Sequence, residues 1–262
     1  MYDFEFAKPS SIAEAAKLLG TDGAQALSGG QTLMPTMKQR LAQPSVLVSL
    51  TGIPEMKGVC LNEDGLHVGG ATAHADVARE AASHYPALAA LAGGIGDPAV
   101  RSRGTIGGSI ANNDPSACYP SAVLASGATV VTNKRKIAAD DYFQGMFSTA
   151  LDEGEFVTGV TFPIPEKAAY IKFNQPASRF ALTGVFVAKY KGGVRVAVTG
   201  ASNEGVFRWS EAEAALSKSF SADAIAGLTA SADGLINDLH GTPAYRANLV
   251  KVLTGRAVTA AG

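Results

Sequence analysis

The chain has 262 residues but only two cysteines, Cys60 and Cys118, too few for a disulfide framework or for the thiolate set of an iron–sulfur cluster. Free thiols suit a reducing compartment, and the expected location is the cytoplasm. No apolar run approaches the roughly 20 residues that a membrane helix needs. The N-terminus opens on acidic and aromatic residues, without a basic stretch leading into an apolar one, so neither a transmembrane segment nor a secretory signal is expected. A formal net charge of −1 and the lack of Lys/Arg runs argue against nucleic acid as a partner. The four histidines, His67, His74, His84 and His240, show no metal-ligand spacing, and no Ser, His and Asp set is apparent. The G-x-G-x-x-G fingerprint is missing too, which disfavours a Rossmann fold. No catalytic and no metal-binding residue is therefore assigned. A protein of this size without such groups is expected to bind a cofactor that carries the chemistry.

What the chain does have is two glycine loops of similar chemistry. The first is Ser28-Gly29-Gly30-Gln31-Thr32-Leu33, after the short apolar strand Ala24–Leu27 and before a helical pattern over Leu33–Leu41 that Thr32 is placed to cap. A strand, two glycines, a hydroxyl and a helix start offer backbone N–H groups to a pyrophosphate. The second is Thr105-Ile106-Gly107-Gly108-Ser109, followed by Asn112, Asn113 and Asp114 before Pro115. Gly107 and Gly108 are free to take positive φ and turn consecutive N–H groups into one anion-binding concavity. Taken alone, a T-x-G-G-S segment is more often a plain tight turn than a ligand loop. Two loops in one domain can grip a diphosphate from both sides.

Around these loops, residues 1–165 alternate helices and strands. A helix through Leu19 opens at Pro9-Ser10-Ser11, strands are expected at Val46–Leu50, Thr129–Thr132 and Thr158–Phe162, and a hairpin turns at Asn62-Glu63-Asp64-Gly65. His74–Ser83, Pro86–Ala92 and Pro120–Ser126 read as helices. After Pro165 the texture changes to strands at Ala169–Gln175, Thr183–Lys191 and Val194–Thr199, then helices at Ser210–Ser217, Ala222–Asp233 and Pro243–Leu253. Strands followed by helices suggest a second α+β unit, a three-stranded sheet plus helices over residues 166–262.

The order of the loops, with Ser109-Ile110-Ala111-Asn112-Asn113-Asp114-Pro115 and Cys118-Tyr119-Pro120 after the second, resembles the medium, FAD-binding subunit of the molybdenum hydroxylases, the family of carbon monoxide dehydrogenase and xanthine dehydrogenase. The resemblance runs from Tyr2-Asp3-Phe4-Glu5-Phe6 to Arg256-Ala257 and includes Tyr245-Arg246. It implies an α+β protein: a p-cresol methylhydroxylase-type, two-subdomain FAD-binding fold followed by a small C-terminal flavoprotein domain. It also implies that the cofactor is FAD, held by Ser28, Gly29, Gly30, Gln31, Thr32, Leu33, Thr105, Ile106, Gly107, Gly108, Ser109 and Asp114. Val157 is implied as a backbone contact along the flavin edge, and Ile95 as an apolar contact to the adenine, though an Ile in a Gly-rich loop is also a core plug. Lys172, on Tyr170-Ile171-Lys172-Phe173, resembles a lysine projected toward the flavin; its other reading is a solvated edge charge. Where many relatives carry an Asp, this chain has Cys118, whose thiol is a poor substitute for a carboxylate acceptor and reads as a small buried apolar residue.

The function implied is an oxidoreductase subunit, passing electrons from an iron–sulfur small subunit through FAD to an external acceptor. Molybdopterin is expected on a large partner subunit in an (αβγ)2 assembly. The alternatives are a self-contained flavin-dependent reductase or oxidase of the same cofactor fold, and a scaffold that has lost its cofactor.

Overall fold

A computed structural model describes residues 1–262, in which three larger sheets and one two-stranded hairpin are formed. The first is small and parallel, β1 (Glu5–Ala7), β3 (Val46–Ser49) and β2 (Ala24–Leu27), with β3 in the middle. Helix α1 (Ile12–Leu19) starts where expected, because Ser11 Oγ accepts the Glu14 N–H and the Glu14 carboxylate returns to the Ser10 N–H at 2.7 Å. Its buried Ala15 and Leu19 pack on Val48, Leu50 and Ile53. Helix α2 (Leu33–Lys38) is shorter than the expected Leu33–Leu41, because Arg40 takes φ 61° and leaves the helix.

The second sheet is antiparallel, in the order β4 (Val59–Asn62), β5 (Gly65–Gly69), β10 (Val157–Phe162), β6 (Thr129–Thr132), β7 (Lys136–Ala138). The β4–β5 hairpin turns at the expected residues, and β10, central in its sheet, is buried along its whole length. Helices α3 (His74–Glu80), α4 (Pro86–Gly93), α5 (Pro98–Arg101), α6 (Ile106–Asn112) and α7 (Tyr119–Ala125) follow β5. Leu88, Leu91, Ile106, Ile110 and Tyr119 join Val68, Val160 and Phe162 in one core. A short helix α8 (Ala139–Tyr142) leads to the small hairpin β8 (Phe143–Gly145) and β9 (Ser148–Thr149).

The third sheet has four strands where three were expected: β11 (Lys167–Asn174), β12 (Ala181–Tyr190), β13 (Gly193–Ser202) and β14 (Gly205–Arg208). The extra strand is a four-residue return after Ser202, too short and too mixed in polarity to show as a hydrophobic run. Both faces of β12 are covered: Val185 and Val187 pack with the last helix, Phe186 and Ala188 with the core under α7. Helix α9 (Ser210–Lys218) matches its pattern, but of Ala222–Asp233 only the single 3-10 turn Ala222–Ile225 is helical. Gly227 and the Ser/Asp-rich run after it favour turns over a continued helix. Helix α10 (Pro243–Ala261) instead runs past the expected end at Leu253, because Leu249, Val250, Leu253, Ala257 and Val258 continue one buried face. No helix is long and apolar enough to cross a membrane.

Arg246 of α10 ties this last layer together. It is 2% exposed, donates from Nη1 to the carbonyls of Leu182 (2.6 Å) and Gly200 (2.8 Å), and donates from Nη2 to both Asp238 oxygens at 2.8 Å. Removing the guanidinium leaves the Leu182 and Gly200 carbonyls without their donor, while the exposed Asp238 carboxylate turns to water. Arg246→Met is expected to cost on the order of 3 kcal/mol, read as a lower urea midpoint at unchanged slope.

Candidate functional site

The two glycine loops, 77 residues apart in sequence, meet. Ser28 Oγ and Thr105 Oγ1 are 2.7 Å apart, and Gly29 lies so close to Arg103 and Gly104 that a Cβ on it would collide with the Arg103 carbonyl. The reason for glycine here is close backbone approach. Gly30 has φ +70°, and a Cβ there would come within 2.9 Å of Met34. That left-handed residue redirects the chain from β2 into α2. The N–H groups of Gly30, Gln31, Thr32 and Leu33 then have no acceptor within the chain. Thr32 does not cap α2; its backbone is already in the helical region, and its exposed hydroxyl is left unpaired.

The second loop differs from its expected form. Neither Gly107 nor Gly108 has positive φ; both lie in the first turn of α6, capped by the Thr105 hydroxyl. Their donors are used internally: Gly107 N–H bonds the Gly70 carbonyl at 2.9 Å, Gly108 N–H the Thr105 hydroxyl, Ser109 N–H the Thr105 carbonyl, and Ile106 N–H the Thr72 carbonyl. Gly107 is small because a Cβ would sit 2.5 Å from the Gly70 carbonyl oxygen. Ile106, expected among the binding residues, has a fully buried side chain in the core. What α6 turns outward is the bare backbone of Gly108, where a Cβ would lie 3.6 Å from Ser28 Cβ, and the Ser109 hydroxyl. The two loops thus differ, with the Gly30–Leu33 N–H groups free on the first and an exposed glycine backbone and a hydroxyl on the second.

A cleft of about 560 Å³ opens beside the loop junction, lined by Ser28, Gly29, Thr105, Arg103, Lys57 and Thr72 among others. The side chains of Lys57 and Arg103 take part in no hydrogen bond or ion pair, whereas Arg79 on the same cleft is paired with Asp76 and Glu80, which also line it. Sequence reasoning missed Lys57, Arg103 and Gly70. The one visible signal was the Gly69-Gly70 doublet, of which Gly70 packs against the Val157 carbonyl and accepts from Gly107. Val157 itself is buried in β10, so its backbone supports the second loop from behind.

The remaining expected residues form a second group. Ile95 is half-buried against the central core, and its carbonyl accepts from Arg101. Asp114 accepts the Ser116 N–H at 2.8 Å and lines a separate cavity of about 230 Å³ toward Gln175, Phe180 and Arg246. Lys172, half-buried on the edge strand β11, donates from Nζ to the carbonyls of Gly94 and Arg179, each at 2.8 Å, and lies 3.6 Å from Cys118 Sγ. Cys118 is buried, as its apolar reading expects.

Beneath the second loop, His74 packs on Tyr119 and against Gly104, with Nδ1 unpaired. Burial, then the charge of Arg101, pushes its pKa down to about 4. Between pH 6.5 and 4 the unfolded chain takes up a proton that the folded one excludes, so this contribution is complete above 6.5 and shrinks as the pH falls. The urea midpoint is expected to drop from pH 7 to 5, and His74→Gln to flatten that slope.

The free N–H groups, the glycines that leave no Cβ at the junction, the hydroxyls and the two unpaired cations suit a diphosphate-bearing cofactor, and the fold around them is that of a two-subdomain FAD-binding protein with an α+β domain appended. Residues 2–165 match the model of the FAD binding domain in molybdopterin dehydrogenase. The chain is 34% identical to the nicotine 6-hydroxylase medium subunit of Paenarthrobacter nicotinovorans, over 98% of this chain and 96% of that one. It is 32% identical to the carbon monoxide dehydrogenase medium chain of Hydrogenophaga pseudoflava, with 98% and 96% covered. Carbon monoxide dehydrogenase from Oligotropha carboxidovorans superposes with a TM-score of 0.89 at 29% identity, covering 99% of this chain and 98% of that one. The chain belongs to the FAD-binding medium subunits of the molybdenum hydroxylases. It is an oxidoreductase subunit, and its cofactor is FAD.

Proposed function

We propose that this chain carries electrons from an iron–sulfur small subunit, through FAD, to an external acceptor, while a large subunit holding molybdopterin oxidises the substrate, in an (αβγ)2 assembly. FAD supplies the ability to exchange electrons one or two at a time. This chain's residues bind and orient it. The Gly30–Leu33 N–H groups with the Thr32 and Ser109 hydroxyls hold the diphosphate, Arg103 and Lys57 add positive charge, Lys172 is the cation at the flavin, the Val157 backbone lies along the flavin edge, Ile95 is the adenine contact and Asp114 a further polar contact. Residues 1–165 would form the FAD-binding domain and residues 166–262 the appended flavoprotein domain. The observation that carries this reading is the meeting of the two loops at Ser28 and Thr105, with the first loop's donors unspent. The medium subunits compared above are named for nicotine and carbon monoxide at nearly equal identity to this chain, in keeping with a substrate site on another polypeptide.

The test is expression alone and with the neighbouring subunits. A yellow chain with one FAD, inert toward organic substrates until it co-purifies with molybdenum and iron, is the expected result. Turnover of an organic substrate by the lone chain would favour the self-contained reductase or oxidase instead.

A further inference from the structure

Cys118, Tyr170 and Lys172 converge where β11 crosses the start of α7. Lys172 has no carboxylate partner; its charge rests on two carbonyls and the Cys118 sulfur. Two residues earlier on the same face of β11, the Tyr170 hydroxyl is buried, has no hydrogen-bond partner and lies beside that sulfur. An ammonium and a phenol therefore point at a thiol, a weak acceptor, with the phenol oxygen buried and the ammonium side half-open to solvent. The Tyr170 hydroxyl is left under-satisfied until an oxygen takes the sulfur's position.

We propose that Cys118 is a modification site, oxidised by hydrogen peroxide to a sulfenic acid whose oxygen is held by Lys172 and Tyr170. In the step, the sulfur attacks one peroxide oxygen; the S–O bond forms as the O–O bond breaks. Sulfur loses two electrons and the peroxide gains them, and the departing hydroxide takes the thiol proton and leaves as water. The added oxygen accepts hydrogen bonds from Lys172 Nζ and the Tyr170 hydroxyl, which protects it from further oxidation. Cys60 is the internal comparison: it is exposed on β4 and has no such donors.

The test treats the purified protein, with the cofactor it carries, with one equivalent of hydrogen peroxide. The protein is then unfolded in the presence of a 1,3-dione that traps sulfenic acids, and the adducts are mapped by peptide mass spectrometry. The expected result is a dione adduct mainly on Cys118, with Cys60 recovered as thiol or as higher oxides. Lys172→Met and Tyr170→Phe, checked for folding by circular dichroism, should each lower the Cys118 adduct about tenfold, the weight of one charge-assisted or buried hydrogen bond. Adducts confined to Cys60, or an undiminished Cys118 adduct in folded Lys172→Met, would overturn the proposal.

Discussion

Gly29→Ala is expected to yield a protein without bound FAD and with stability lower by on the order of 3 kcal/mol. The added methyl has no room: it would collide with the Arg103 carbonyl and press on Gly104. Gly104 cannot retreat cheaply, since its carbonyl accepts the His74 N–H at 2.9 Å, and the loop after it is tied to Thr72 and Gly70. The strain therefore separates Ser28 from Thr105 and turns the Gly30–Leu33 donors away from Ser109. Flavin absorbance per chain and the thermal midpoint should fall together. Gly108→Ala is the contrasting variant. Its methyl would meet only the Thr105 hydroxyl at 3.1 Å and Ser28 Cβ at 3.6 Å, so the fold should hold while FAD, placed against this surface by the proposed function, is held more weakly. Full flavin content in Gly29→Ala would show that the junction of the loops does not hold the cofactor.

Lys172→Met should lower the flavin midpoint potential by some tens of millivolts. On the proposed reading the lysine's charge favours the anionic reduced flavin, and each ~1.4 kcal/mol of that interaction lost is about 30 mV for a two-electron couple. The cation is not neutralised in place, because its partners are the Gly94 and Arg179 carbonyls and a thiol. Cys118→Asp should therefore act in the same direction, placing a carboxylate within reach of Nζ, whereas Lys172→Arg should keep most of the potential. Dye-linked spectroelectrochemistry on the three variants separates this from a purely mechanical role. If Lys172→Met leaves the potential unmoved but loosens the Gly94 and Arg179 segments to proteolysis, the lysine serves only to tie those two segments together.

The parts of the fold that were legible are those where local chemistry and tertiary demand agree. Ser11 with Glu14 marks the start of α1, and Asn62 to Gly65 marks the β4–β5 turn, because capping and turn residues act within a few positions of themselves. Ala222–Asp233 misled because an apolar rhythm there was outweighed by turn-forming residues, and α10 outran its pattern because packing against β11 and β12 rewarded each further turn. The strand β14 was invisible because its pairing with β13, and not its composition, makes it a strand.

The site divides in the same way. Residue order alone determined that two glycine loops exist and that the first leads into a helix, since each of these depends on residues a few positions apart. Tertiary structure decided that Gly107 is small to admit the Gly70 carbonyl and not to adopt positive φ, that the N–H groups of Ile106 to Ser109 are spent inside the fold while those of Gly30 to Leu33 are free, and that Lys57 and Arg103 face one cleft. Those outcomes depend on which distant backbone arrives at each donor. Hydrogen-bond partners and close contacts between segments 30 to 80 residues apart are not written in any local stretch of a chain, and only folding brings them together.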